Sequence, residues 1–352
     1  MVFKLDLLDE DSLHEHIFSR YVELERHADE LKQDLGIQSR TETTIEIDIE
    51  PPIILPEIDS LTLTDKSEKS KGKKSRKTKK RNKNRNDEER YNIIIEQSIS
   101  DLNSTVSNNN STTGFVLWSS TPFFLRWLLY NNNALPFREQ TNDNSINIPP
   151  IYSQDKTYRV GIIELGTGIS SLMSIILSNH VNQYISTDQK GILNKLKYNI
   201  RENLNQVTKR VCQSETLGIL SSEDVSETDE DDTSPRRPIV TIEVEELDWE
   251  TFKISENTEY LINLQQNCNT VYILAMDVIY NEYLIRPFLE TLTKLRSYFS
   301  TDIQVKCLIG IHLRSQDIVT QFLETAITEF HLPITYINDL TLEQSRYSLY
   351  LI

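Results

Sequence analysis

A turn with two closely spaced glycines, Gly166 and Gly168, follows a short apolar segment at residues 160–165. The apolar segment predicts a buried parallel strand, and the glycines predict a tight turn into the helix that comes next. Glycine has no Cβ and adopts positive φ easily, so a nucleotide-like ligand can lie directly on the main chain at the start of that helix. The turn therefore predicts a cofactor that contains adenosine, with an ordinary structural turn as the alternative.

The residues around this turn distinguish between two classes of adenosine cofactor. A dinucleotide fingerprint needs a third glycine three residues after the second, and that position is Ser171. Glu164, two residues before the first glycine, attracts an ammonium group and repels a pyrophosphate. The loop formed by Glu164, Gly166, Thr167 and Gly168 therefore favours S-adenosylmethionine over a nicotinamide or flavin dinucleotide.

Asp188 ends the next predicted strand, at residues 183–188, and lies 22 residues beyond Gly166. Apolar residues at helical spacing separate the two strands, as expected for a βαβ unit. A carboxylate at the end of the second strand of such a unit can accept hydrogen bonds from both hydroxyls of an adenosine ribose. We therefore predict that Asp188 binds the cofactor. The alternative is that it caps the helix that starts near Lys190.

Two further polar residues, Asp277 and Tyr280, follow a later apolar strand that begins near residue 271. They are expected at the carboxyl edge of the sheet, where open α/β folds bind their ligands. From the residues alone, a structural interpretation competes with a functional one. In that interpretation Asp277 caps a helix that begins near Asn281, and Tyr280 fills the core.

Five segments in the same order resemble the class I protein-lysine methyltransferases of the family-16 group. They are Gly-Phe-Val-Leu-Trp at 114–118, Glu-Leu-Gly-Thr-Gly at 164–168, Asp188, Leu-Asp-Trp at 247–249 and Asp-Val-Ile-Tyr at 277–280. The hallmark of this family is Asp-x-x-Tyr after the fourth core strand. Ser170 is a departure, because the family loop usually has a third glycine there. The resemblance covers about residues 91–352.

The resemblance implies a fold, an activity and roles for several residues. The fold is α/β, with a Rossmann-like seven-stranded class I methyltransferase sheet, helices on both faces, and a final antiparallel hairpin. The activity is methyl transfer from S-adenosylmethionine to lysine. Asp277 positions the incoming amine, and Tyr280 walls the amine's slot or accepts from it. Trp118 and Trp249 border the cofactor, and Met276 places its backbone beside it. Taken alone, an isolated Trp is more often a core residue, and a core position is the alternative for the Met276 side chain.

The uneven charge of the chain bears on its partners. Net charge is −16, but residues 66–85 hold twelve Lys or Arg and one Glu, so the remainder carries −27. Such an acidic body repels nucleic acid and attracts basic proteins. Within the family, the long N-terminal extension and the lysine-rich insert resemble fungal members whose substrate class is a large-subunit ribosomal protein. The basic tract itself fits a nuclear localisation signal, a contact to ribosomal RNA, or a solvated spacer.

The sequence pattern divides the chain into two parts. Residues 1–157 are expected to form an N-terminal helix and β-hairpin extension, with a disordered basic insert at about 60–90. A possible capping box at Ser12–Glu15 starts the helix, and the hairpin pairs 43–50 with 91–100. Residues 158–352 are expected to form the methyltransferase domain. It carries a disordered acidic insert at about 207–237, with seven acids among the twelve residues from Ser221 to Asp232.

Several classes of protein are disfavoured by composition. No segment has the features of a secretory signal or a membrane span, and the three cysteines are far apart. We expect a monomeric, reduced, cytoplasmic protein, with the nucleus as a second compartment, and no metal site. Two other functions stay open. A nucleic-acid methyltransferase commonly has Asp/Asn-Pro-Pro-Tyr where this chain has Asp-Val-Ile-Tyr, and a ribosome-assembly factor would keep only a vestigial fold.

Overall fold

The computed structural model describes residues 3–29, 31, 36–52, 89–102, 113–139, 148–153, 157–219, 237–255 and 258–352. The basic tract at 66–85 lies outside these residues. So does the acidic run from Ser221 to Asp232.

Strands and helices alternate along most of the described chain. The strands are β1 Lys4–Leu7, β2 Thr44–Ile49, β3 Tyr91–Glu96, β4 Val160–Leu165, β5 Gln183–Asp188, β6 Val211–Gln213, β7 Ile239–Glu246, β8 Thr270–Met276, β9 Gln304–His312, β10 Thr335–Asn338 and β11 Tyr347–Leu351. The α-helices are α1 Glu10–Arg26, α2 Ile99–Leu102, α3 Ser120–Tyr130, α4 Leu172–Leu177, α5 Lys190–Glu202, α6 Glu259–Asn267, α7 Glu282–Tyr298, α8 Gln316–Glu324 and α9 Leu340–Glu343.

The main sheet has the order β1-β10-β11-β9-β8-β4-β5-β7-β6. Strands β4, β5, β7, β8 and β9 are mutually parallel, whereas β11 pairs antiparallel with β9 and β10. All residues of β4, β5 and β8 are buried, as is typical of central strands covered on both faces. Seven consecutive strands, from β10 to β7, form the predicted class I sheet. The fold prediction is therefore confirmed.

Two edge strands extend the sheet beyond the seven that were predicted. At one edge, β1 pairs antiparallel with β10, from Lys4 opposite Asn338 to Leu7 opposite Thr335. At the other edge, β6 pairs in parallel with β7. The expectation that the acidic insert begins at residue 207 is therefore wrong for residues 207–219. That segment is ordered because Val207 and Leu217 are buried in the core and Cys212 and Ile219 pack against it, partly buried.

Each face of the sheet packs against its own layer of helices. One layer contains α3, α4 and α5 and is joined by the β2–β3 hairpin. The opposite layer contains α1, α6, α7 and α8. Helices therefore cover both faces, and the carboxyl edge of the parallel strands is left for the site.

The N-terminal helix is fixed against the last strands of the sheet. Arg20 is buried and donates to the Leu342 carbonyl at 3.0 Å and to Ser348 Oγ at 3.2 Å. The predicted capping box starts one turn too late: the side chain of Asp9 accepts from Ser12 N at 2.8 Å, and Ser12 Oγ accepts from Asp9 N at 3.0 Å. Ser12 is thus the third helical residue rather than the cap.

The predicted hairpin is present, with β2 and β3 antiparallel from Thr44 opposite Glu96 to Ile49 opposite Tyr91. Alternate isoleucines of both strands are buried against the layer that contains α3. None of the described helices has the length and apolar content needed to cross a bilayer.

Candidate active site

One pocket at the carboxyl ends of β4, β5 and β8 brings together the ten residues singled out from the sequence. These are Trp118, Glu164, Gly166, Thr167, Gly168, Asp188, Trp249, Met276, Asp277 and Tyr280. Parallel strands present their carboxyl ends at one edge, so residues far apart in sequence converge there. Their individual roles stay predictions.

Both glycines of the β4 turn are needed for conformation and for space. Gly166 has φ 66° and Gly168 has φ 62°. A Cβ on Gly166 would lie 2.8 Å from Val278 Cγ1, and one on Gly168 would lie 3.1 Å from the Gly114 carbonyl oxygen. Ser170 is not among the described residues with positive φ, so this position of the loop does not require glycine.

Asp188 holds the glycine turn as well as lining the pocket. Its carboxylate accepts from Gly168 N and from Gln189 N, both at 2.7 Å. Helix α5 begins after Gln189, so Asp188 does not occupy the cap position, and the capping alternative is wrong. Burial raises the pKa of Asp188 to about 6, against the lowering effect of the two backbone N–H groups.

Glu164 is a buried carboxyl group beside the same turn. It accepts from the Tyr184 hydroxyl at 2.7 Å. Burial raises its pKa to about 7, although the hydrogen bonds from Tyr184 and Thr167 act in the opposite direction. At neutral pH its proton is therefore easily displaced by a cation in the pocket.

Asp277 follows β8 with φ 63°, a backbone conformation that residues other than glycine rarely adopt. Its buried carboxylate forms an ion pair with Arg314 and accepts a long hydrogen bond, 3.4 Å, from His312 N. Burial raises the pKa of Asp277 to about 6, and the charge of Arg314 lowers it. The cap of α7 is Asn281, whose side chain accepts from Tyr283 N at 3.1 Å. The capping alternative for Asp277 is therefore wrong.

Arg314 is a site residue that the sequence reasoning missed. Besides its ion pair with Asp277, its guanidinium lies over the Trp118 ring, 4.8 Å from the ring centroid. A signal was available, because Arg314 comes two residues after β9, and β9 neighbours β8 in this sheet order. A cation at the carboxyl end of that strand has to lie near the end of β8.

Aromatic side chains form much of the remaining wall. Trp118 Nε1 donates to the Thr113 carbonyl at 3.1 Å, and Trp249 packs edge-on against Phe288, 5.2 Å between centroids. Tyr280 is half-buried and lines the pocket, which does not fit the core-filling alternative. Burial raises the pKa of its hydroxyl, so the group stays protonated and can donate. Aromatic walls lower the polarity of the pocket between the turn and Asp277.

Comparison with known proteins identifies the chain's family. A protein of Zygosaccharomyces rouxii named ribosomal lysine N-methyltransferase 5 is 48% identical over the full length of both chains. Proteins of the same name from Candida glabrata and Saccharomyces cerevisiae strain AWRI796 are each 42% identical over all of this chain and 99% and 100% of their own lengths. The chain belongs to the ribosomal lysine N-methyltransferase 5 family. Its members are lysine N-methyltransferases by name, and the cofactor is S-adenosylmethionine.

Other comparisons add little to this assignment. No protein-family model matches the chain. A solved human methyltransferase 10 domain containing protein is 12% identical, with TM-score 0.30, over 56% of this chain and 72% of that one. A SAM-dependent methyltransferase of Leishmania major is 11% identical, with TM-score 0.29, over 55% and 64%. Similarities this low carry no argument about function.

The pocket fits S-adenosylmethionine by charge and by space. The cofactor supplies a methyl group that its sulfonium makes electrophilic. Gly166 and Gly168 leave room against the main chain, Asp188 offers acceptors suited to ribose hydroxyls, and Glu164 offers a carboxylate suited to an amino group. Trp118 and Trp249 offer flat faces suited to adenine.

The pKa of Glu164 predicts how cofactor binding depends on pH. Below pH 7 the carboxyl group is protonated and its attraction for an ammonium group is lost, so affinity should fall by up to about tenfold per pH unit. Calorimetry between pH 8 and 6.5 should show this fall together with proton release on binding; Asp188, whose pKa is about 6, adds only a small part of the fall at the lower end of this range. Glu164→Gln should weaken binding at pH 8 and flatten the dependence. A wild-type affinity that did not change with pH would contradict the assignment.

Proposed function

We propose that this chain transfers a methyl group from S-adenosylmethionine to the side-chain amine of a lysine in a ribosomal protein. We also propose that the substrate is a protein of the large ribosomal subunit. The observation that carries the proposal is one pocket in which the glycine turn faces Asp277 and Tyr280. The names of the full-length relatives support the ribosomal substrate, and the acidic body suits a basic partner.

The chain's own groups can prepare the amine. Only a neutral amine has the lone pair that attacks a methyl carbon, and the amine must lie in line with the bond that breaks. The carboxylate of Asp277 accepts a hydrogen bond from the amine and so orients the lone pair, while aromatic walls exclude water. The positive charge of Arg314 beside Asp277 disfavours the ammonium form of the incoming lysine. The proton that the lysine ammonium group loses to become a neutral amine goes to solvent.

Labelled cofactor gives the direct test. The protein is incubated with labelled S-adenosylmethionine and purified large or small ribosomal subunits, each with and without nuclease treatment, and with a ribosome-depleted lysate. We expect nuclease-resistant label on a lysine of one large-subunit protein, located by mass spectrometry. Label that nuclease removes would support a nucleic-acid methyltransferase. No transfer to any fraction, together with no cofactor binding by calorimetry, would support a non-catalytic assembly factor.

We further propose that the protein works as a monomer in the cytoplasm, with a second pool in the nucleus, and that residues 66–85 contact ribosomal RNA. The high positive charge of this segment supports the last two proposals.

Deleting residues 66–85 is expected to separate ribosome association from catalysis. The segment contains no apolar side chain that could join a core, so the melting temperature and the cofactor affinity should change little. Co-sedimentation with ribosomes should weaken, and its salt dependence should become less steep. A large drop in melting temperature would show that the segment is structural, and unchanged sedimentation would remove the proposed RNA contact.

A further inference from the structure

The two outer edges of the β2–β3 hairpin differ in their hydrogen bonding to the rest of the protein. Amide side chains of α5 and the residue after it cover the outer edge of β3. Asn203 accepts from Ile94 N at 2.9 Å and donates to the Ile94 carbonyl at 2.7 Å. Asn199 does the same with Glu96, at 2.9 and 3.1 Å. The main-chain groups of Ile94 and Glu96 therefore point away from β2.

Antiparallel geometry then fixes the direction of the groups on β2. Residues directly opposite each other point their main-chain groups either both inward or both outward. Glu46 lies opposite Ile94, and Thr44 lies opposite Glu96, so both direct N–H and C=O groups to the outer edge of β2. Within the described part of the chain no strand pairs with this edge. Its far end is contacted by α3, where Arg126 donates to the Asp48 carbonyl at 2.7 Å.

The side chains beside this edge are negatively charged. Glu46 and Asp48 are exposed, and both accept from the same amide nitrogen, Asn92 Nδ2, at 2.6 and 2.7 Å. Among the described residues neither carboxylate has a cationic partner within ion-pair distance. Two like charges held by one neutral amide repel each other, and a cation placed between them would relieve that repulsion.

A groove lies between this edge and α3. Phe123 and Tyr130 of α3 line the groove together with Glu46 and Asp48. Thr121, at the start of the same helix, lines the active-site pocket. At 1.5 Å per residue, Thr121 in the active-site pocket lies about 14 Å along the helix from Tyr130 in the groove. An extended peptide spans that length in roughly four or five residues.

We propose that the groove between β2 and α3 binds an extended, basic segment of the protein substrate, beginning about four residues from the target lysine. The main chain of that segment pairs with Thr44 and Glu46, and its Lys or Arg side chains meet Glu46 and Asp48. Charge complementarity selects this occupant. The carboxylates that line the groove outnumber the guanidinium of Arg126, so the groove repels an acidic strand and attracts a basic one. The inference rests on the proposed function, because it identifies how that function's substrate is held.

The test removes the two charges and compares the result with removal of two equally exposed charges elsewhere. The double variant is Glu46→Gln with Asp48→Asn, and the control is Glu25→Gln with Asp302→Asn, which lie outside the groove. The substrate is the basic protein fraction extracted from ribosomes. For two exposed ion pairs we expect KM to rise about 2- to 30-fold in the groove variant, with kcat and cofactor affinity unchanged within error. The wild-type KM should also be more sensitive to salt than that of the variant.

Each other outcome overturns the proposal in a distinguishable way. Equal KM values for the wild type, groove variant and control would remove the groove from substrate binding while leaving the activity intact. If deleting residues 66–85 abolished the difference between wild type and groove variant, the chain's own basic segment would be the occupant. If no fraction accepted methyl groups, the proposed function would fail. Binding of a fluorescent Lys/Arg-rich 12-residue peptide would then test the groove alone, and equal affinity in all three proteins would exclude it.

Discussion

Replacing Asp277 with Asn is expected to lower kcat by about 10²- to 10³-fold, the usual loss when one preorganised charged or polar group at the reacting centre is removed. Asparagine keeps the size and part of the hydrogen bonding, but it lacks the charge that orients an amine. The dissociation constant of S-adenosylmethionine should stay within about twofold, because the glycine turn and Asp188 lie on other strands. Stopped assays with labelled cofactor and calorimetry measure the two quantities separately.

Asn281 provides the matched control for this variant. It is the true cap of α7, so Asn281→Ala should lower the free energy of unfolding by about 1 kcal/mol and leave methyl transfer largely intact. Full activity in Asp277→Asn would show that the carboxylate does not position the amine. The role would also be wrong if that variant lost activity only through failure to fold or to bind the cofactor. In that case the ion pair between Asp277 and Arg314 would have only a structural role.

Replacing Asp188 with Ala should weaken S-adenosylmethionine binding by about 1.5–3 kcal/mol, as expected for loss of hydrogen bonds to a charged group. This corresponds to roughly 10- to 150-fold in the dissociation constant. The structure adds a second cause, because the variant also leaves Gly168 N without its acceptor at 2.7 Å. Titration calorimetry on the folded variant measures the total effect.

A variant of a buried carboxylate outside the pocket is the control that separates loss of the ribose contact from loss of support for the turn. Glu243 accepts from the backbone N–H groups of Glu215 and Thr216, both at 2.9 Å, and so supports a turn as Asp188 does. Glu243→Ala should lower the melting temperature without changing cofactor affinity. Asp188→Asn, which keeps an acceptor for Gly168, should regain stability but not full affinity. Unchanged affinity in a folded Asp188→Ala protein would refute the ribose contact.

The parts of the fold that could be predicted from sequence are those whose pattern is local. Strands β4 and β8 are mostly apolar runs, and β5 is a short segment with Tyr, Ile and Thr, which favour strands. Each ends in turn or acidic residues, so their type and their common edge follow from sequence alone. The short edge strands β1 and β6 were missed because three or four residues show no period that separates them from a loop. They are ordered by pairing with neighbours already in the sheet.

In the candidate site, too, local segments could be predicted from sequence, whereas contacts between distant residues could not. The glycine turn and the Asp-x-x-Tyr segment are contiguous and therefore visible in sequence. The partner of Asp277 is 37 residues away in Arg314, and only the order of the strands brings the two together. The positive φ of Asp277 could not be predicted either, because this conformation is uncommon even for aspartate, which adopts it more often than most residues do.

The contacts of α1 are made with residues that the ribosome synthesises much later than the helix itself. Arg20 and its acceptor Ser348 are separated by 328 residues, and His16 reaches Tyr350 over 334. At about 5–20 residues per second, the ribosome needs roughly 15–65 s to supply these partners after α1 has been synthesised. Until then the contacts that fix α1 to β11 cannot form, and the helix is accessible to chaperones or to other nascent chains. Among the described helices α1 comes first along the chain, whereas the strand that holds it, β11, comes last.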